Sequence, residues 1–458
     1  MSPALRRSVS SLRVPNYRRY FIGQVVSLSG NWMQVVAEVW LILSLTGSGA
    51  AVGLVTALQF APLLLFGAYG GVLADRFPKW RLLQATQAAM AVPALVLWGL
   101  TASGSVEPWM VCVLVLLRGT VNAVDNPTRQ SFVIEMVGPE RVVSAVGLNS
   151  VLVHSARMLG PALAALLIAL WGVELCFLVN AVSFAAVIGA LRTMDPDELA
   201  PTRPVRRERG ALRAALRYVW ATPALRVPLA MMALVGTLSF NFSVLLPLLA
   251  RFTFDGDAST YAGLMIAMGA GSVIGALVSG SREVVGSRLL VLSSAAFGAL
   301  IALLAAAPSQ AVAAAVLVGV GAAGVTFAAG VNSTLQLRVA GEMRGRVMAL
   351  YSIVFLGSTP IGGPLAGWLA EAWSPRATLL LGGIAALAAA AWARVAFARA
   401  EAPESGEVPP ALGRLGQDPV DQFERRAAPE QVHDVGAVED QRQARGDHEV
   451  RDVPLRAA

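Results

Sequence analysis

The sequence predicts an all-α membrane protein with twelve transmembrane helices in two six-helix bundles, and three observations support this fold class. Hydrophobic residues make up 56% of the 458 residues and charged residues only 14%, well below the roughly 25% of soluble proteins. Apolar stretches of about 20 residues, long enough to cross a bilayer as helices, recur along the chain. Short motifs of the first half return in the same order in the second half.

The hydrophobic stretches divide the chain into five regions. We expect an N-terminal arm (1–19), an N-terminal bundle (20–192), a linker (193–224), a C-terminal bundle (225–398) and a tail (399–458). The predicted spans are 20–45, 51–74, 82–102, 106–127, 142–170 and 173–191, then 225–250, 260–280, 288–306, 311–333, 345–371 and 375–398. The charged, aromatic-poor tail is expected to be disordered. Residues 212–219 of the linker are expected to form an amphipathic helix on the membrane surface.

Basic residues alternate between loops, and this alternation predicts the orientation. Arg76, Lys79 and Arg81 share one loop, whereas the preceding loop, Thr46 to Gly49, has no charge. The positive-inside rule therefore places both termini and the linker in the cytoplasm, with the protein in the cell (inner) membrane. Because the cations follow this alternation, the net charge of +7 does not indicate a nucleic-acid partner. The first span is too long for a cleavable signal and is expected to be an anchor.

An internal repeat indicates what kind of membrane protein this is. Asn126-Pro-Thr-Arg-Gln and Gly160-Pro161 in the first half are echoed by Asn332-Ser-Thr-Leu-Gln and Gly363-Pro364 in the second. A parallel repeat of six spans is typical of transporters whose substrate path lies between two related bundles. We expect Gly160, Pro161, Gly363 and Pro364 to permit bending of their helices.

The loop after the second span carries the motif that suggests a family. Gly71-x-x-x-Asp75-Arg76, with the twelve spans and the central linker, resembles the major facilitator superfamily over about 17–398. Asn16-Tyr-Arg-Arg-Tyr-Phe, Leu45-Thr46-Gly-Ser48 and Asn126-Pro127-x-Arg129 look like the bacterial drug and siderophore exporters related to the enterobactin exporter. Pro78 stands where the superfamily motif usually has Gly, and Trp80 where it usually has a cation. The resemblance implies a monomeric transporter in the lipid bilayer that is not an enzyme.

The same loop is expected to form a cytoplasmic gate. Asp75 would face the N-terminus of the eleventh span near Gly345, where a helix dipole favours an anion by about 0.3–1 kcal/mol. The resemblance implies that Lys79 pairs with Asp125, and Gly71 and Arg76 complete the gate. Such contacts would form only when the cytoplasmic side is closed. The alternative is that these charges only determine topology.

Polar residues inside the spans are candidates for a central cavity. Asn31, Gln34 and Glu38 share one face of the first span, Arg118, Asn122 and Asp125 one face of the fourth, and His154 and Arg157 one face of the fifth. Glu38 is expected to pair with Arg118 or Arg157 and to exchange a proton when that pairing changes. A static ion pair is the alternative. His154 would relay protons or simply bond to a hydroxyl group.

These observations favour a proton-coupled exporter, an antiporter, that moves a small amphiphilic organic molecule, such as a drug or siderophore, by alternating access. An importer of the same fold driven by protons or sodium is one alternative, and a non-transporting membrane sensor or scaffold is another. No nucleotide-binding loop, zinc-protease helix or nucleophile elbow occurs in the sequence. An ATP-driven pump and a membrane hydrolase are therefore disfavoured, and no cofactor or metal is expected.

Overall fold

The computed structural model describes residues 10–200, 211–280 and 286–401. The expected tail beyond 401, the first nine residues of the arm and part of the linker lie outside the described residues. Over the described ranges the chain is built from α-helices joined by short turns, which confirms the predicted all-α class.

The helices are numbered α1 to α14 in chain order. The N-terminal half contains α1 (Pro15–Thr46), α2 (Gly49–Arg76), α3 (Lys79–Ala102), α4 (Pro108–Val137), α5 (Val142–Trp171) and α6 (Glu174–Arg192). The C-terminal half contains α7 (Ala211–Ala221), α8 (Pro223–Ser239), α9 (Phe242–Thr253), α10 (Ala258–Gly280), α11 (Ser287–Ala305), α12 (Gln310–Arg338), α13 (Gly341–Ala372) and α14 (Pro375–Glu401). Within the described ranges twelve segments are long and apolar enough to cross a membrane, with α8 and α9 forming one of them.

The seventh span is interrupted, although the sequence predicted one continuous helix there. The helix stops at Ser239 and resumes at Phe242. The side chain of Asn241 donates to the carbonyl of Thr237 at 2.7 Å, so a side-chain amide replaces a backbone donor at the break. Gly362 of α13 packs directly against this break, since a Cβ there would lie 2.7 Å from Asn241 Oδ1.

The fourth span extends further than the sequence predicted. Pro127 lies inside α4, which continues to Val137 rather than ending near 127. The expected linker helix is present as α7, with Ala215 and Val219 buried and Arg213 and Arg217 exposed.

Helix packing in the two halves follows the internal repeat. The pairs α2–α4 and α3–α6 of the first half recur as α10–α12 and α11–α14 of the second. The first span packs on α5 and α6, and correspondingly α8 packs on α13 and α14. Between the halves, α2 packs along α13, and α5 along α10. This arrangement matches the predicted pair of six-helix bundles.

The α2–α13 crossing depends on residues without side chains. A Cβ on Gly53 would lie 2.5 Å from the carbonyl oxygen of Gly363, and one on Gly367 would overlap the backbone of Gly49. The two backbones are therefore in direct contact, as in other small-residue crossings of membrane helices. We call the end of the bundle where α2 ends and α3 begins the basic side, and the other end the opposite side. The glycine contact lies toward the opposite side.

Candidate functional site

A buried ion pair joins α1 to α4 in the middle of the N-terminal half. Arg118 Nε donates to Glu38 Oε1 at 3.0 Å and its Nη2 to Glu38 Oε2 at 2.5 Å. Glu38 is 1% exposed and Arg118 is 6% exposed. This geometry is bidentate, the strongest arrangement for an arginine and a carboxylate. The pairing of Glu38 with Arg118 was one of the two alternatives that the sequence left open.

A chain of amides continues this ion pair into α6. Gln34 Nε2 donates to Glu38 Oε1 at 2.7 Å, since the two residues are one helical turn apart. Asn180 of α6 donates to Gln34 Oε1, and Ser183 Oγ lies 3.0 Å from Asn180 Oδ1. Asn180 was not among the residues predicted from the sequence, although an Asn and a Ser three residues apart in an apolar span are a usable signal. The network therefore connects α4, α1 and α6.

A second buried carboxylate lies closer to the basic side. Asp125 is 1% exposed, and its Oδ1 accepts from Thr86 Oγ1 at 2.7 Å and from Gln87 Nε2 at 2.8 Å. Nearby on α1, the Tyr20 hydroxyl and Gln24 Nε2 are buried without a hydrogen-bond partner among the described residues. Unsatisfied buried polar groups in a native protein call for an explanation, and ordered water is a common one.

These groups belong to one polar strip that runs along the membrane axis. On α1 the strip contains Tyr20, Gln24, Ser27, Asn31, Gln34 and Glu38, each three or four residues from the next. On α4 it contains Arg118, Asn122, Asp125 and Arg129 with the same spacing. Helical periodicity puts each set on a single face. The predicted cavity residues Asn31 and Asn122 are half-buried members of this strip.

The predicted pair between Lys79 and Asp125 is wrong for this structure. Lys79 Nζ instead donates to Glu135 Oε1 at 2.6 Å, and both side chains are nearly buried. The physical reason is the extension of α4 beyond Pro127. Lys79 begins α3 at the basic side, and Asp125 lies ten residues before Glu135, which is about 15 Å deeper along the helix.

Arg157 does not share the Glu38 carboxylate. Its guanidinium carbon lies 4.9 Å from the ring centre of Trp32 on α1, in a cation–π contact. Gly160 makes this approach possible, because a Cβ there would overlap the Cβ of Trp32. His154 lies in α5, but its side chain is outside the described residues.

The cytoplasmic gate expected from the sequence is not formed in this structure. Asp75 is exposed and, among the described residues, its side chain makes no hydrogen bond or ion pair. Gly71 is buried and Arg76 is exposed at the end of α2. Apart from its own turn of helix, no described atom lies within 4 Å of where a Cβ on Gly345 would stand, so no other element packs closely there. The gate therefore stays a prediction for a conformation closed on the basic side.

The opposite side carries a contact that the sequence analysis missed. Glu371, in the last turn of α13, accepts from Ser48 Oγ at 2.6 Å and from the backbone N–H of Ala50 at 2.9 Å. Ser48 is the N-cap of α2, so the carboxylate lies at the positive end of that helix. Trp40 of α1 stacks on Tyr261 of α10 at 6.4 Å between ring centres and adds a further contact between the halves.

Of the four residues expected to permit bending, the two glycines, Gly160 and Gly363, have a packing role in this structure. Both α5 and α13 run uninterrupted through their Gly-Pro pairs. Gly160 admits Trp32 of α1, and Gly363 admits Gly53 of α2. Bending at Pro161 and Pro364 stays a prediction.

The repeated helix pairs, the crossing of α2 with α13 and the buried polar strip together define a membrane transporter of the major facilitator fold. Comparison with solved structures agrees. The nucleoside transporter NupG (D323A mutant) superposes with a TM-score of 0.68 at 14% identity over 84% of this chain and 100% of that one. A bacterial homologue of the human lysosomal transporter Spinster, in an inward-facing occupied conformation, gives 0.64 at 16% identity over 83% and 96%.

The chain belongs to the transmembrane secretion effector family, whose model matches residues 7–412. The staphyloferrin A transporter of Staphylococcus aureus is 26% identical over 57% of this chain and 65% of its own length, just under two thirds. Macrolide efflux protein A of Streptococcus pyogenes is 24% identical over 74% of this chain and 85% of its own length. The multidrug efflux pump Tap of Mycobacterium tuberculosis is 25% identical over 78% and 87%. These relatives are transporters and not enzymes.

Proposed function

We propose that the protein is a proton-coupled exporter of a small amphiphilic organic molecule, a drug or a siderophore, in the cell membrane. The buried Glu38–Arg118 pair carries this proposal. Loss of a neighbouring cation favours the neutral form of a buried carboxylic acid. A conformational change that separates α1 from α4 would therefore take up a proton, and the reverse change would release it. The names of the relatives support the substrate class and the direction.

The α2–α13 pair supplies a means of alternating access. The two helices run antiparallel, so each one has its N-terminus beside the last turn of the other. Glu371 at the end of α13 caps the start of α2 in this structure. Asp75 at the end of α2 would cap the start of α13 when the basic side closes. Each carboxylate thus favours closure of one side, by about 0.3–1 kcal/mol from the helix dipole.

The basic side then faces the cytoplasm, and the structure corresponds to an inward-facing conformer. The loop charges support this orientation, because Arg76, Lys79 and Arg81 share one end of the bundle. A substrate would enter from the cytoplasm between the halves. Loss of the Glu371 contact and formation of the Asp75 contact would then expose it to the other side.

Transport in energised inside-out vesicles tests this proposal. A strain that lacks the gene, screened with macrolides, other drugs and iron-free siderophores, would first identify a transported compound. Vesicles containing the wild type should accumulate that compound when a proton gradient is applied, which marks export. Glu38→Gln should abolish gradient-driven accumulation but not binding, whereas Glu107→Gln, an equal charge change on an exposed loop, should not. Full gradient-driven transport by the Glu38 variant would refute the coupling role.

A further inference from the structure

Arg157 is a charge in the middle of the membrane that the proposed function leaves unused. It is the sole Asp, Glu, Lys or Arg in the 30 residues of α5, and it lies at the centre of that helix. A charge at this depth costs about 2.5–3.5 kcal/mol on insertion scales and therefore calls for a compensating role.

The side chain points away from the lipid-facing surface of α5. The exposed leucines of this helix, Leu159, Leu163, Leu166 and Leu170, lie about 180–240° round the helix from Arg157 at about 100° per residue. Ala156 and Gly160 form the buried strip between the two, packed against α1. Arg157 is thus on the side of α5 that does not face lipid, and it is exposed there. An exposed cation in that position lines a space accessible to water.

Arg157 also has no acidic partner among the described residues. Both carboxylate oxygens of Glu38 accept from Arg118. Among the described residues Arg157 makes a cation–π contact with the face of Trp32 and no hydrogen bond or ion pair. Glu38 and Arg118 cancel each other, so Arg157 leaves a net positive charge at the centre of the N-terminal half. An indole ring under a guanidinium group orients the group but does not neutralise it.

We propose that Arg157 and Trp32 form a binding subsite for the anionic group of the transported molecule, so that the substrate is an organic anion with an apolar body. This inference rests on the proposed function and deepens it by naming the charge of the substrate. The guanidinium group offers two parallel N–H donors to a carboxylate or phosphate. The apolar part of the substrate would lie along the mostly hydrophobic walls, as is usual for small-molecule sites.

The test compares an anion with its neutral analogue in binding experiments that need no gradient. The probes are 2-naphthoate and 2-naphthamide, which share one ring system, and the protein is the full chain in lipid nanodiscs. The wild type should prefer the naphthoate by about tenfold or more, because hydrogen bonds to charged groups contribute about 1.5–3 kcal/mol. Empty nanodiscs correct for partition into lipid.

Three variants separate recognition from packing. Arg157→Gln should bind both probes equally, with naphthamide affinity unchanged. Arg157→Lys should keep part of the preference, because it keeps the charge. Arg251→Gln, which removes an exposed arginine in the last turn of α9, should behave like the wild type.

The wild type provides a further measurement that does not depend on the folding of a variant. Naphthoate should protect Arg157 from modification by phenylglyoxal, detected by mass spectrometry, and naphthamide should not. An unchanged preference in Arg157→Gln would overturn the proposal and leave Arg157 as a packing contact between α5 and α1. Equal binding of both probes by the wild type, or binding of neither, would also overturn it. None of these results depends on whether Glu38 couples transport to protons.

Discussion

Replacement of Glu371 by Gln should shift the protein away from the conformation seen here. The substitution keeps the size of the side chain and an acceptor oxygen, but it removes the charge that faces the N-terminus of α2. At an exposed helix end this charge contributes about 0.3–1 kcal/mol. The ratio of the two conformers should therefore change about two- to fivefold toward opening on the opposite side.

Spin-label distances across the opposite side provide the assay. The native cysteines, Cys112 and Cys176, are first replaced by alanine. Labels are then attached to cysteines introduced at Ser105 and Pro308, which lie in exposed loops of the two halves. Glu371→Gln should increase the population with a long distance between the labels.

The matched controls for this experiment are Glu174→Gln and Asp75→Asn. Glu174→Gln makes the same charge change on the same side without a hydrogen bond to the other half, and it should leave the distance distribution unchanged. Asp75→Asn should shift the distribution in the opposite direction, because it weakens the conformer closed on the basic side. An unchanged distribution in the Glu371 variant would refute the reasoning.

Three other predictions follow from single contacts. Lys79→Met should lower the free energy of unfolding by about 3 kcal/mol, measured by thermal denaturation, because it leaves Glu135 buried without its cation. The charge-exchanged double variant, Lys79→Glu with Glu135→Lys, should lose much less. Gly53→Leu should open the opposite side, because a side chain at position 53 would overlap Gly363. Thiol labelling of cysteines on the opposite side should therefore increase, and unchanged labelling would contradict this prediction. Hydrogen bonds from Ser259 and Thr260 lower the pKa of Asp257, so Asp257→Asn, which removes the charge at the start of α10, should destabilise by about 0.3–1 kcal/mol at neutral pH. That difference should disappear as the pH falls through the lowered pKa.

The sequence identified the residues of the central site more reliably than their partners. The spacing of Gln34 and Glu38 along α1, and of Arg118 and Asp125 along α4, is a property of the helix itself and can be read from residue numbers. The pairing of Glu38 with Arg118 was one of two options, and the structure decided between them because Arg157 lies beside Trp32.

The partners that the sequence missed depend on where helices end and how closely they approach. Lys79 contacts Glu135 because α4 continues for ten residues beyond Pro127, a length that hydropathy alone does not reveal. Asn180 meets Gln34 because Gly30 leaves room for α6, since a Cβ at Gly30 would lie 2.5 Å from Asn180 Oδ1.

By itself the sequence determined the number of membrane spans, the repeat of the two halves and the polar faces of α1 and α4, because hydrophobic length and helical periodicity are local properties. Only the tertiary structure decided that Glu371 caps α2, that Arg157 has no acidic partner among the described residues, and that the basic side lacks its Asp75 contact. The Glu371 contact joins residues 323 positions apart, and the other two features are contacts that this conformation lacks. They depend on the relative position of the two halves, which changes during transport while the sequence does not.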